Sequence, residues 1–226
     1  MSRTIARSLA ALVCMTVLAA CNADPTSLTS RPTPSSATSA APSSTNAPGL
    51  VAASTSIKDK KGDLVDEAGD AVKKNGRVDI VKVTASTDGS SLRLTLELAD
   101  DIPTTLPSTE QALTYLFQVE TDRSGSFDYW VVVSNLENGS WSAALTDYTD
   151  TGHGKSAYGP RFPGSVAVAG NLVTVTVALL SIGNPAKLRI AAAAERDDHP
   201  SGKVLAEDHA PKDTAKPSKS WLALEP

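Results

Sequence analysis

The stretch LRLTLEL, residues 92–98, decides the fold class of this 226-residue chain. Its four leucines alternate with arginine, threonine and glutamate, which is the period of a strand with one face in a core and the other in water. The same alternation recurs over residues 113–119 and 173–179. An Asp-Gly pair at 88–89 and a Gly-Asn pair at 170–171 stand before two of these runs as turn signals. Strands joined by tight turns indicate antiparallel pairing.

The rest of the chain from residue 51 onward extends this pattern. Further strands are predicted near residues 78–85, 129–134, 140–145, 165–169 and 187–194. A short polar helix is suggested over residues 63–74, and Trp221, Leu222 and Leu224 suggest a last edge strand in a polar C-terminal tail. We therefore predict an all-β fold, a single antiparallel β-sandwich or jelly roll over residues 51–226.

Charge excludes one large class of function. The chain carries 21 basic and 25 acidic side chains, a formal net charge of −4. Nucleic-acid binders need a basic surface to replace the counterions that surround the phosphates. We therefore expect no nucleic-acid partner.

Residues 1–20 have the three parts of a secretory signal peptide: a basic start, an apolar stretch and small residues at the end. The junction Leu-Ala-Ala-Cys at 18–21 resembles the lipobox of bacterial lipoproteins, in which the cysteine is lipidated and becomes the mature N-terminus. The alternative is an ordinary signal peptide that happens to end near Cys21. The lipobox implies an exported protein, held by palmitate-type acyl chains on the extracytoplasmic face of the cell membrane.

Residues 21–50 join this cysteine to the predicted sandwich. Of the 29 residues after Cys21, 22 are Pro, Ser, Thr or Ala, and none is aromatic. Such a composition buries too little apolar surface to offset the entropy of ordering. The segment is predicted to be a disordered tether that spans roughly 30 Å as a flexible coil.

Four short motifs carry a resemblance to a family of secreted β-sandwich domains. They are DKKGD at 59–63, Asp-Ile at 79–80, YLFQVETD at 115–122 and DHAP at 208–211. Together they resemble the DOMON-like domains and the related family-nine carbohydrate-binding modules. That resemblance implies a β-sandwich that binds sugar or haem and holds structural calcium. Both methionines, Met1 and Met15, lie in the predicted signal peptide, which argues against the Met/His ligation common for haem.

Two groups of oxygen-bearing side chains are candidate calcium ligands. The first comprises Asp59, Asp63 and Asp79, with a metal shared with another loop. The second is the turn with Asp122, Ser124, Ser126 and Asp128 at alternate positions. Calcium accepts six to eight oxygens in a flexible shell. The alternative for both groups is ordinary turn and cap chemistry.

The loop over residues 147–164 is the candidate ligand site. It contains Tyr148, His153 and Tyr158, whose rings and imidazole suit a sugar. The segment TDTGHGKS at 149–156 lacks the first glycine of a phosphate-binding loop, so we expect no nucleotide. Trp130 and Trp141 share strand faces with aliphatic side chains and are predicted to lie in the core.

No catalytic motif stands out. The chain has no Gly-x-Ser-x-Gly elbow, no His-Glu-x-x-His and no Cys-x-x-Cys. We therefore predict a membrane-anchored lipoprotein with a non-catalytic binding domain for a glycan or another envelope component, braced by calcium. The alternative is a structural lipoprotein that docks a protein partner. A hydrolase is a remote third hypothesis.

Overall fold

The computed structural model describes residues 50–225, apart from 74, 105–111, 122–126, 136–139, 149–154, 157–163, 199–200 and 213–219. Contacts divide the chain into two units, residues 1–46 and residues 47–226. The fold described below is that of the second unit.

Twelve strands occur in the described part of this unit. They are β1 Ala53–Lys58, β2 Ile80–Thr87, β3 Ser91–Leu98, β4 Ala112–Glu120, β5 Tyr129–Ser134, β6 Ser142–Asp147, β7 Lys155–Ser156, β8 Gly164–Ala169, β9 Leu172–Ala178, β10 Leu188–Asp198, β11 Lys203–Ala210 and β12 Leu222–Leu224.

These strands form two antiparallel sheets. The first has five strands in the order β1-β2-β3-β9-β8. The second has seven, in the order β11-β10-β4-β5-β6-β7, with β12 paired to the start of β10. The predicted all-β antiparallel sandwich is confirmed.

The core lies between the two sheets and contains the predicted alternating side chains. The leucines of residues 92–98 in β3 and the valines of β9 are all at most 1% exposed. Tyr115 and Phe117 of β4 face them from the second sheet and are fully buried. Each such side chain contributes about 1.5–3 kcal/mol when it leaves water. The phase of alternation was therefore correct for these three strands.

The predicted helix over residues 63–74 is wrong. The described part of this segment consists of turns and of single bridges that pair Val65 with Ala71 and with Glu207. The carboxylate of Asp66 accepts hydrogen bonds from the backbone N–H groups of Ala68 and Asp70, both at 2.9 Å. Local side-chain capture of this kind competes with helix formation.

Three strands were not predicted, namely β1, β7 and β11. The sequence of β11, KVLAEDHA, places only Ala206, Asp208 and Ala210 in its buried positions. Alanine and aspartate give no hydrophobic signal of the kind that identifies β3. The predicted C-terminal edge strand is confirmed as β12, whose Leu222 and Leu224 join the core.

A 3-10 helix, Leu179–Ile182, connects β9 to the segment before β10. It ends at Gly183, which has a left-handed φ of 81°. In the described residues, no helix has the length and apolar character needed to cross a membrane.

Candidate functional site

Three carboxylates from distant parts of the chain meet at the far end of β1. Asp59 follows β1 directly, Asp63 follows the turn at Gly62, and Asp208 lies in β11. Each offers one oxygen, and these oxygens lie within 4.8 Å of one another. A search of the described residues for His, Cys, Asp and Glu side chains that are close enough to share a metal ion gives this one group.

Backbone contacts fix the geometry of this acidic group. Asp208 is 4% exposed, and its Oδ2 accepts a hydrogen bond of 2.7 Å from the N–H of Ile80. That bond ties β11 to the start of β2 in the other sheet. Asp59 is held in turn by its own N–H, which donates to the carbonyl of Val81 at 2.9 Å.

Asp79 positions the turn that carries Asp63. Its carboxylate accepts the N–H of Gly62 at both oxygens, at 2.9 and 3.1 Å. Gly62 has a φ of 84°, a left-handed conformation that strongly favours glycine. The prediction grouped Asp79 with Asp59 and Asp63 as a ligand set. The structure places Asp208 beside Asp59 and Asp63. Asp79 instead binds the backbone N–H of Gly62 in the turn next to them.

Electrostatics in this group are unfavourable without a cation. Burial raises the pKa of Asp208 to about 7, and the charges of Asp59 and Asp63 act in the same direction. Burial likewise raises the pKa of Asp59, with Asp63 and Asp79 as nearby negative charges. Asp59 Oδ2 and Asp63 Oδ1 are out of solvent and have no hydrogen-bond partner in the described part of the chain. A divalent ion bound by oxygen ligands would relieve both the repulsion and the missing contacts.

The second predicted calcium group lies mostly outside the described residues. Asp122, Ser124 and Ser126 belong to that part of the chain. Asp128 is buried, and its Oδ2 accepts hydrogen bonds from the N–H and the hydroxyl of Thr121 at 2.8 and 2.5 Å. Asp128 therefore ties the two ends of the β4–β5 connection together.

Three aromatic rings cluster on the outer face of the second sheet. Phe127 precedes β5, Trp130 lies in β5, and Tyr148 follows β6. The ring centroids of Trp130 lie 5.2 Å from those of Phe127 and of Tyr148, and the centroids of Phe127 and Tyr148 are 5.5 Å apart. All three side chains are half-buried. We call these three residues the aromatic cluster.

The predicted core position of Trp130 is wrong, and that of Trp141 is confirmed. The inward positions of β5 are Tyr129, Val131 and Val133, so Trp130 points away from the core. Trp141 packs against the core, stacks on Tyr115 at 5.5 Å and donates its indole N–H to the carbonyl of Pro103 at 3.0 Å. The sequence YWVVVS is apolar on both faces, so its phase could not be read from the alternation.

Polar atoms beside the aromatic cluster have no partner. Gln118 of β4 stands directly opposite Trp130 in the strand register. The indole N–H of Trp130 and Oε1 of Gln118 are both out of solvent without a hydrogen bond. Unpaired buried donors and acceptors cost free energy, so this face has unused capacity for one donor and one acceptor contact.

A second acidic group lies on the outer face of β10 and β11. Glu195 stands directly opposite Glu207 in the strand register, and His209 Nε2 lies 3.8 Å from Glu207 Oε2. Burial raises the pKa of Glu195 to about 7, and the charge of Asp197 adds to the effect. Burial also raises the pKa of Asp197 to about 6. The carboxyl groups of Glu195 and Asp197 therefore titrate closer to neutral pH than an ordinary carboxyl.

The remaining predicted site residues, Cys21, His153 and Tyr158, lie outside the described residues. Of the predicted ligand-loop residues, Tyr148 is described, and it belongs to the aromatic cluster. Phe127 and Gln118 were missed because nothing in their own residue types distinguishes them. Strand pairing brings Gln118 beside Trp130, whereas Phe127 precedes Trp130 by three residues in the same segment.

No family model, curated protein or solved structure matches this chain. The resemblance to DOMON-like domains and family-nine carbohydrate-binding modules therefore stays a prediction.

Proposed function

We propose that this chain is an exported lipoprotein, anchored through Cys21, whose sandwich is a non-catalytic module that binds a glycan of the cell envelope. The aromatic cluster is the observation that carries this proposal. Phe127, Trp130 and Tyr148 lie together on one sheet face, within centroid distances of 5.2 to 5.5 Å.

Sugar rings suit this surface because they are amphipathic. The apolar C–H face of a pyranose stacks on aromatic rings, while its hydroxyls need donors and acceptors at the rim. One unpaired donor, the indole N–H of Trp130, and one unpaired acceptor, Oε1 of Gln118, lie next to these rings. Both are out of solvent, so a sugar hydroxyl reaches them only when a neighbouring ring moves aside. Rings that already touch one another also lose little side-chain freedom when a ligand binds.

The test is a titration of intrinsic tryptophan fluorescence with soluble envelope oligosaccharides, including muropeptides and chitooligosaccharides. Saturable binding is expected, and Trp130→Ala should weaken it at least tenfold because the central stacking ring is lost. Trp141→Phe is the control, since that indole packs on Tyr115 at the core. Equal affinity in the wild type and Trp130→Ala would reject the aromatic cluster as the glycan site.

We also propose that calcium braces the sandwich at Asp59, Asp63 and Asp208. The support is the convergence of three carboxylate oxygens, two of which belong to side chains with an unpaired oxygen out of solvent. The ion would link the turn after β1 to β11. A ligand that binds only the folded state raises the melting temperature.

The test compares thermal unfolding in chelator and in millimolar calcium. We expect a rise of several degrees with calcium, which Asp63→Asn should abolish. Asp66→Asn is the matched control, because this substitution removes the same negative charge from an exposed turn of the same segment. No shift in the wild type would remove calcium from the proposal and leave the glycan site standing.

Lipidation has a separate test. Cys21→Ser should move the protein from the detergent phase to the aqueous phase in Triton X-114 partition and abolish palmitate labelling. Detergent partition that is unchanged in Cys21→Ser would contradict the lipid anchor.

A second candidate function is the docking of a protein partner at the edge of the first sheet. Strand β8, GSVAVA, pairs with β9 on one side, and no charged side chain occurs within it. Uncharged edge strands accept an added strand through their free backbone groups. A photocross-linker at Ala167 should then give a discrete protein adduct in cells, whereas one at Thr174, opposite Ala167 on β9, should not.

A further inference from the structure

One leucine stands out from the surface of the described domain. Leu180 is 83% exposed, although its neighbours Leu179 and Ile182 in the 3-10 helix are each 1% exposed. The other exposed large apolar side chains among the described residues are Val51 at 57% and Leu172 at 40%. A single exposed leucine is ordinary, so its position must supply the argument.

Leu180 and Val51 lie at the same end of the first sheet. The start of β1 pairs with the end of β2, with Ala53 opposite Thr87. The turn that follows β2 contacts both segments: the carbonyl of Leu50 lies 3.3 Å from the position of a Cβ on Gly89, and the N–H of Leu179 donates to the carbonyl of Ser90 at 2.9 Å. Leu172 lies at the opposite end of β9 from the 3-10 helix.

The 3-10 helix holds Leu180 outward. Burial of Leu179 and Ile182 fixes the helix against the core. The N–H of Asn184 donates to the carbonyl of Leu179 at 2.8 Å, and Gly183 closes the turn with its left-handed backbone. Leu180 therefore points away from the core, because Leu179 and Ile182 occupy the core-facing positions of this helix.

The chain enters the domain at this same end. Leu50 is 3% exposed and belongs to the core, and the 28 residues from Asn22 to Gly49 separate it from Cys21. The tether of the proposed lipid anchor is therefore attached at this end of the sandwich, and the end with Leu172 lies farther from the point of attachment. A tethered contact is intramolecular, so even a weak apolar contact is populated at the high effective concentration that a tether imposes.

We propose that this end of the sandwich, with Leu180 and Val51, rests on the lipid bilayer that holds Cys21. The inference depends on the lipid anchor of the proposed function. The ligand is the apolar boundary of the bilayer beneath the headgroups, into which amphipathic surfaces insert their aliphatic side chains. Asp88, which is exposed in the turn between the two segments, makes a zwitterionic bilayer the better partner than an anionic one.

The experiment uses the full lipidated protein in phosphatidylcholine vesicles. A nitroxide is attached to Leu180→Cys, and the matched control carries it at Leu172→Cys; in the processed protein, acylated Cys21 cannot react. We expect the label at 180 to be shielded from a water-soluble nickel chelate and accessible to oxygen. The label at 172 should behave as a group in water.

A third variant tests whether Leu180 itself drives the contact. With the nitroxide at Val51→Cys, the added substitution Leu180→Asp should shift the docked-to-undocked ratio at least tenfold toward undocked, because burial of one leucine side chain is lost and a charge replaces it. An unchanged accessibility at 51 would overturn the role of Leu180.

Vesicle flotation separates the two possible failures. Protein that does not float with the vesicles contradicts the lipid anchor. Protein that floats while both labels remain in water overturns the present inference and leaves the anchor intact. A label at 180 that is shielded from both oxygen and the nickel chelate indicates contact with a second copy of the chain, which also overturns it.

Discussion

Two partly buried acidic residues of β10, Glu195 and Asp197, make the stability of the fold depend on pH. The pKa of Glu195 is raised to about 7 by burial, and that of Asp197 to about 6. A carboxyl whose pKa is raised by folding binds its proton more tightly in the folded state. Its stabilising contribution is complete below the ordinary pKa and is lost as the pH rises through the raised value. The pKa of His209 is raised as well, through Glu207 and Glu195, and acts with the same sign.

We predict that Glu195→Gln flattens the pH dependence of stability. The free energy of unfolding of the wild type should fall as the pH rises from about 4.5 to about 7, whereas the variant should lose roughly 1–2 kcal/mol less. Urea unfolding at several pH values across that range measures the difference. Glu225→Gln, at an exposed position in the tail, is the control. Parallel curves for wild type and Glu195→Gln would contradict the assignment.

The two aspartates around Gly62 should respond differently to substitution. Asp79 is 5% exposed and accepts the N–H of Gly62 at both oxygens, whereas Asp63 Oδ1 has no partner. Asp79→Ala should therefore destabilise the protein by about 1–3 kcal/mol even in chelator, because the turn at Gly62 loses the carboxylate that accepts its N–H at both oxygens. Asp63→Asn should leave stability in chelator unchanged or higher, since it removes repulsion.

Chemical denaturation of both variants in chelator, and again in calcium, tests this contrast. If Asp63→Asn were as destabilising in chelator as Asp79→Ala, the acidic group would be a hydrogen-bonded structural cluster rather than a place for a cation.

At the scale of elements, an ion pair joins β4 to β10. Arg189 Nε and Nη2 donate to the two carboxylate oxygens of Glu120, each at 2.7 Å. Glu120 is 1% exposed and Arg189 is about one-third exposed. The two residues stand directly opposite in the strand register. A bidentate pair of this geometry fixes the register of the two central strands.

We predict that Arg189→Met destabilises the sandwich by about 3 kcal/mol, because it leaves the Glu120 carboxylate buried without a counter-charge. The double variant Arg189→Met with Glu120→Leu should recover most of that loss, since neither charge then remains. Guanidinium unfolding of the four proteins in this cycle gives the coupling energy. Additive effects of the two substitutions would show that the pair contributes nothing of its own.

At the scale of the whole molecule, one core serves the entire described domain. All residues of the hydrophobic core lie between Leu50 and Leu224, and they come from both sheets and from β12. The described core is therefore built from residues of the second unit, 47–226.

We predict that the fragment 47–226 unfolds at the same temperature as the full chain. Calorimetry of the two proteins in the same buffer checks this, and a single cooperative transition is expected for each. Removal of β12 by truncation after Pro211 should lower the melting temperature sharply, because Leu222 and Leu224 leave the core. A stable fragment without β12 would contradict its place in that core.

The local pattern of side chains was sufficient to predict the fold class and the positions of most strands. Strand character is local: in β3 every second side chain is a leucine, so the inward face and its burial follow from a period of two residues. Asp59, Asp63 and Asp79 were also predicted as a group, from the short motifs at 59–63 and 79–80. In β5 both faces are apolar, so the alternation does not show which side chains point into the core. In β11 the inward side chains are alanine and aspartate, so the strand has no hydrophobic alternation to identify it.

Which side chains meet depends on the assembled fold. Asp208 lies 128 residues from Ile80, yet its carboxylate accepts that residue's N–H and stands beside Asp59 and Asp63. Trp130 of β5 meets Tyr148 because β5 pairs with β6, and the indole points away from the core. Such contacts arise from strand order and from the packing of one sheet on another. Those are properties of the assembled chain, and no local window of the sequence contains them.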